Sequence, residues 1–158
     1  MRRDFHPLLL DHMRKDDRIV VLTADLGFKM FDQIAAEFPG RFWNVGAAEQ
    51  LLIGAAVGLA EDGKIPVCYS ITSFLLWRPA EWWRNYVNAE RVPIKAIGGG
   101  RDQDYCHDGW THDCSDAKAF LSLMPNVKQF WPDTVADLPA VTQEWLYHDG
   151  PAFLSLRR

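Results

Sequence analysis

The sequence predicts an α/β fold, a three-layer α/β/α sandwich built on a mostly parallel six-stranded sheet. Two observations carry this expectation. Apolar runs of strand length alternate with helical stretches about six times along the 158 residues, the pattern of a parallel sheet covered by helices. Two of those runs, 17–25 (DRIVVLTAD) and 65–71 (IPVCYSI), are apolar nearly throughout, as strands buried on both faces must be.

The elements follow in order. Leu8, Leu9, Leu10 and Met13 mark a helix over about 5–15. The run 17–25 is a central strand. FDQIAAEFPG (31–40) is a short helix stopped by Pro39-Gly40, and RFWNV (41–45) is strand-like. Residues 47–62 are helical and end at Gly63, and 65–71 is the next buried strand. Pro79 suits the first turn of a helix that runs to about 90. VPIKAIGG (92–99) is a strand leading into a glycine turn, and 99–115 is a polar, irregular loop of the length that often carries function. A helix over 116–124, a strand over 126–131, a helix over 134–147 and a strand over 151–158 complete a single domain, 1–158.

Composition narrows the function classes. At 48% hydrophobic and 13% aromatic, the chain has the apolar content for a real core. A net charge of −4 leaves no footprint for nucleic acid. No run of about eighteen apolar residues is present, so no membrane span is expected. The opening MRRDFHPLLLDHMRKDD lacks the apolar heart of a signal peptide, and a cytoplasmic location is the expectation. Cys68, Cys106 and Cys114 are an odd set and argue against a disulfide framework. Seven tryptophans are many for one domain and hint at a partner surface, although core filling explains them equally well.

In such folds ligands gather at the carboxyl ends of the strands. Asp25, Glu49, the 72–78 stretch, the 99–115 loop and the terminal arginines all fall there. Glu49 sits in NVGAAEQ, an acid among small and apolar residues. Local pattern alone favours a cap, because an acid in a first helical turn meets orphan amides and the helix dipole. Gly54 and Gly58 on the same helix leave room for a close approach, either to this chain's own sheet or to a partner helix. Cys106, His107, His112 and Cys114 lack paired zinc spacing, so no metal site is expected in this chain. Gly98, Gly99 and Gly100 lack the downstream residues of a phosphate loop and read as a turn.

Taken in order and spacing, these segments resemble the pyrimidine-binding, central domain of transketolase-like thiamine diphosphate enzymes. NVGAAEQ…GAAVGLA and DGWTH are the most diagnostic, and RDFHPLLLDHMRKDDRIVVLTADLG, MPNVKQFWPDT and DGPAFLSLRR extend the likeness through nearly the whole chain. The resemblance implies thiamine diphosphate as cofactor, with Glu49 bonding N1′ of the aminopyrimidine and so promoting loss of the thiazolium C2 proton. Phe74 and Trp77 match the aromatic pair beside that ring. Asp25 matches an aspartate near the cofactor and dimer contact. Asp108 and His112 match residues that touch substrate hydroxyls and assist proton transfer. Arg158 matches a phosphate-gripping arginine, and Arg3 resembles a second.

Departures matter too. Lys29 stands where many relatives place a phosphate-binding serine, Ala80 replaces a third aromatic, and Trp110 is unusual inside DGWTH, so the standard sugar phosphate is not assured. The Gly-Asp-Gly motif of the family's diphosphate-binding domain does not occur in these residues, nor is there a counterpart of the C-terminal transketolase domain. The resemblance therefore implies one subunit of a split transketolase. A partner diphosphate-domain subunit would hold Mg2+, as an α2β2 assembly. The reaction would move a two-carbon ketol or acyl unit from a ketose or 2-keto acid donor to an aldehyde acceptor. The alternatives are 1-deoxyxylulose-5-phosphate synthase-like decarboxylation and condensation, or a non-catalytic interaction module derived from this domain.

Overall fold

A computed structural model describes residues 1–158. Six strands form one sheet: β1 (Ile19–Thr23), β2 (Phe42–Asn44), β3 (Ile65–Ile71), β4 (Lys95–Gly99), β5 (Lys128–Phe130) and β6 (Ala152–Leu156). They run in the order β2-β1-β3-β4-β6-β5, and every neighbouring pair is parallel. The helices are α1 (Arg2–Lys15), α2 (Asp32–Glu37), α3 (Glu49–Glu61), α4 (Thr72–Trp77), α5 (Ala80–Trp82), α6 (Ala117–Ser122) and α7 (Leu138–Leu146), and a π-helical stretch, Trp83–Ala89, continues α5. None is long and apolar enough to cross a membrane.

Side chains alternate across a strand, so each strand feeds two cores. Val20, Leu22, Cys68, Ala96 and Phe153 face one layer, where α3, the Trp83–Ala89 stretch and α6 pack. Val21, Val67, Tyr69, Ile97 and Leu154 face the other, where α1, α2 and α7 pack. This is the predicted three-layer sandwich. In α3 the buried Leu52, Ile53, Ala56, Val57 and Ala60 recur at helical spacing and seat the helix on the sheet. Full burial of each larger side chain contributes about 1.5–3 kcal/mol.

Three expectations change. The segment after β3 does not wait for Pro79. Thr72 begins α4 directly after β3, because Leu75 and Leu76 turn into the core while Phe74 and Trp77 stay at the rim. The helix at the N-terminus starts at Arg2 and carries Pro7 inside it. The glycine run is not simply a turn. Gly98 and Gly99 are buried within β4, and a Cβ on them would come within 2.4 Å of Thr72 Oγ1 and 2.6 Å of Tyr69 Oη respectively. Only Gly100 has a positive φ, +87°.

Gly54 and Gly58 also separate. Gly54 receives the Trp82 ring of this chain, whereas nothing lies within 4 Å of the Cβ position at Gly58. The tryptophans divide likewise: Trp83 and Trp145 are fully buried, while Trp43, Trp77 and Trp110 are exposed. Gly99→Ala should lower stability by about 1–3 kcal/mol, the usual range for overpacking. Urea denaturation checks this, and an unchanged midpoint would show that Tyr69 yields freely.

Candidate cofactor half-site

Because all six strands are parallel, their carboxyl ends share one edge of the sheet, and the loops that leave them converge there. The first is the turn after β1. Asp25 adopts a left-handed backbone, φ 53°, which a short polar side chain tolerates. Asn44 at the end of β2 holds it there. Its Oδ1 accepts from the Asp25 and Gly46 amides at 2.9 and 3.0 Å, and its Nδ2 donates to Asp25 Oδ1 at 3.3 Å. Asn44 thereby ties the exit of β1 to the entry of α3.

Glu49 is the first residue of α3. It makes no side-chain cap bond, so the capping role favoured by local pattern is not what the carboxyl does. The side chain turns into the protein instead and is 1% exposed. Ser70 Oγ on β3 donates to Oε1 at 2.8 Å, and Arg78 Nη1 donates to Oε2 at 2.6 Å. Burying a carboxylate is expensive unless each oxygen is met, and here both are.

Phe74 and Arg78 are four residues apart at the end of β3 and lie on one face of α4 and its C-terminal turn. The guanidinium carbon of Arg78 sits 4.1 Å from the Phe74 ring centroid. His112 meets the same ring edge-on at 4.9 Å, and its Nδ1 lies 3.1 Å from Thr111 Oγ1. Trp77 is half exposed, leans edge-on against Phe120, and donates its indole N–H to Asp116 at 2.9 Å. Phe74 and Trp77 line one cavity of about 510 Å³ together with Trp110 and Thr111.

A second cavity, of about 570 Å³, brings together Arg3, Lys29 and Arg158 and adds Arg2, Tyr69 and Tyr105. Arg2 and Arg158 flank the Tyr105 ring at 5.7 and 5.2 Å. Burial pushes the Tyr105 phenol up from its ordinary pKa, against the opposing pull of Arg2 and Arg158. Arg158 also lies 3.0 Å from His107 Nε2. Asp25, Glu49, Asp108 and His112 line neither cavity, and Glu49 borders a separate one with Arg78. Asp108 is exposed, with an oxygen 3.3 Å from His107 Nε2. No three His, Cys, Asp or Glu side chains are placed to hold a metal ion, and all three cysteines are free.

The 99–115 loop is more ordered than its polarity suggests. An antiparallel bridge joins Asp102 to Cys114, and two short 3₁₀ turns, Cys106–Asp108 and Trp110–His112, lie between them. Arg101 anchors the base. It is 4% exposed, and it donates to Ser155 Oγ at 3.1 Å and to the carbonyls of Pro132 and Ser155 at 2.9 Å each. Burial draws its pKa down, and these acceptors compensate the charge.

Arg101, Asn44, Ser70, Arg78 and Arg2 were not singled out in the sequence. Two had a readable signal: Arg78 lies one helical turn beyond Phe74, and Ser70 is the one aliphatic hydroxyl in an apolar strand.

A wholly parallel six-stranded sheet with helices on both faces, whose candidate residues gather at the carboxyl edge of its strands, defines an α/β domain of the class that binds ligands at that edge. The family model for the transketolase pyrimidine-binding domain matches residues 1–158, and the chain belongs to that family. Dependence on thiamine diphosphate is what membership implies. The chain is 35% identical over 162 residues to the 6-deoxy-6-sulfo-D-fructose transketolase subunit of Clostridium sp. strain MSTE9, covering all of this chain and 49% of that protein. It is 32% identical over 150 residues to the 1-deoxy-D-xylulose-5-phosphate synthase of Anaeromyxobacter sp. strain Fw109-5, covering 94% of this chain and 23% of that one. Among solved structures, a split-gene transketolase described as an inactive β4 tetramer superposes with a TM-score of 0.86 at 29% identity, covering 99% of this chain and 51% of its own. The chain thus spans about half the length of such split relatives.

Arg101→Met should lower stability by about 2–4 kcal/mol, because carbonyl acceptors lose a charged donor. Hydrogen exchange should quicken across 99–115. Arg101→Lys should not restore it, since one ammonium cannot reproduce the fork. Unaltered exchange in the loop would remove Arg101 as its anchor.

Proposed function

We propose that this chain supplies the pyrimidine-binding half of a split, thiamine diphosphate-dependent transketolase-like transferase, with a diphosphate-domain subunit completing the site in an α2β2 assembly. Glu49 carries the reading. It is a fully buried carboxylate at a strand-end junction, and one of its oxygens is met only by a partly exposed, movable arginine. Its surroundings fit an aminopyrimidine, with a hydrogen-bonding carboxylate on one side and the Phe74 face close by. Bound there, the cofactor supplies the carbon nucleophile that protein side chains lack.

We infer the roles of this chain's residues from the family motifs they match. With the cofactor bound, Glu49 would hold a proton at a pyrimidine ring nitrogen, and Ser70 fixes the carboxyl in position. Phe74 and Trp77 present flat apolar faces that shield the ring from water. His112, against the Phe74 edge, moves a proton at a substrate hydroxyl, and Asp108 accepts from another. Asp25, ordered by Asn44, supports the cofactor side of the subunit contact. Mg2+ and the diphosphate fall to the partner subunit. Reaction transfers a two-carbon unit from a ketose or 2-keto acid donor to an aldehyde.

The cavity of Arg3, Lys29 and Arg158 suits a substrate with a terminal anion. The likeness to a 6-deoxy-6-sulfo-D-fructose transketolase subunit makes a sulfonated ketose the donor to try first, with fructose 6-phosphate beside it.

Mixed with a diphosphate-domain partner, thiamine diphosphate and Mg2+, the chain should consume donor, and Glu49→Gln should slow turnover at least about a hundredfold. Near-normal turnover in that variant would remove Glu49 from the chemistry. Arg158→Ala should raise KM for the anionic donor about tenfold or more while kcat holds, the mark of lost uniform binding. A fall in kcat at unchanged KM would place Arg158 elsewhere in the reaction.

A further inference from the structure

The contacts of Arg78 are those an aminopyrimidine needs. Its planar guanidinium stacks 4.1 Å from the Phe74 centroid and donates to Glu49 Oε2 at 2.6 Å. A protonated or amino-bearing pyrimidine would present the same combination, a flat π face and an N–H aimed at a carboxylate. An aminopyrimidine held by Glu49 against Phe74 would need the same ring and the same carboxylate oxygen that Arg78 now occupies. Both occupants cannot be seated together.

We propose that Arg78 is a built-in latch that fills the aminopyrimidine position in the unliganded chain and must swing out for cofactor to enter. The proposal rests on the thiamine diphosphate reading above. The side chain is free to move: it is 45% exposed, on the turn that follows α4. The roughly 510 Å³ cavity it borders also holds Asp113 and Asp116, an acidic place for the released guanidinium. In its closed position the latch keeps Glu49 paired, so the chain folds and persists without cofactor. Cofactor then competes with an internal ligand, and its apparent affinity falls by the fraction of open chains.

The test uses the full chain labelled with ¹⁵N-arginine, assembled with a diphosphate-domain partner and titrated with thiamine diphosphate and Mg2+. Arg78→Lys assigns the Arg78 guanidinium signal in the wild-type spectrum. That signal should begin shifted and protected, then move to the free-arginine position as cofactor saturates. Arg78→Ala should bind thiamine diphosphate about tenfold more tightly than wild type by calorimetry. Arg78→Lys, which keeps charge but loses the stacked fork, should fall between them.

If Glu49→Gln weakens binding while Arg78→Ala binds no more tightly than wild type, the latch is overturned and the cofactor reading stands. An Arg78 signal unmoved at saturation overturns it equally, and does so without any variant having to fold. If neither wild type nor Arg78→Ala binds at all, the cofactor reading fails and the latch with it.

Discussion

One buried carboxylate organises this edge of the molecule. Glu49 draws together three elements that the chain reaches separately: the start of α3, the Ser70 hydroxyl of β3 and the Arg78 fork beyond α4. An isolated ion pair at a protein surface contributes little. Here one partner is out of water, so each contact answers a desolvation penalty, and loss of either leaves a charge exposed to apolar surroundings. The segment joining β2 to α3 must therefore hold one geometry. Asn44 imposes it by accepting from two amides and bonding Asp25, and the left-handed Asp25 in turn depends on Asn44.

The second constraint is closeness. β4 lies near the middle of the sheet, and its last two residues have no room for a Cβ. Tyr69 therefore stands close above Gly99, where its hydroxyl accepts from Arg2 at 3.4 Å. Thr72 reaches past Gly98 to donate to the Gly100 carbonyl at 2.6 Å, pinning the start of α4 to the start of the functional loop. Small residues in the strand thus set where Phe74, His112 and the cationic cavity fall. Stability and site geometry share the same atoms here.

Much of the fold was legible because burial writes itself into composition. β1 and β3 are apolar along their length, which only a strand covered on both faces requires, and their order with α3 follows. The α4 start was not legible. TSFLLW follows IPVCYSI with only Thr72 and Ser73 between the two apolar runs, and the change of period is too short to register before Pro79. The glycine run failed for a different reason: glycine serves turns and close approaches alike, and which one applies depends on Thr72 and Tyr69, distant in sequence. Arg101 was hidden because a buried arginine and a solvated one are spelled the same way. Its acceptors come from Pro132 and Ser155. For the candidate site, residue types and order pointed to Glu49, Phe74 and His112. Local pattern misassigned the Glu49 carboxyl to a cap, since nothing near position 49 names Ser70 or Arg78.

A carboxylate sealed permanently by its own chain could stabilise the fold but could do no chemistry. One left open would destabilise the folded state until a ligand arrived. Glu49 is met by two partners of different kinds. Ser70 is wholly buried, on a central strand, and cannot leave. Arg78 is on a partly exposed turn, which is where the proposed movement would occur. The fixed partner orients the carboxyl, and the movable one protects it. A site of this construction keeps its carboxylate paired while empty, and in the proposed reading the incoming ring takes over the contact that Arg78 gives up. That asymmetry is what a half-site needs when its ligand and the other half of its pocket arrive together.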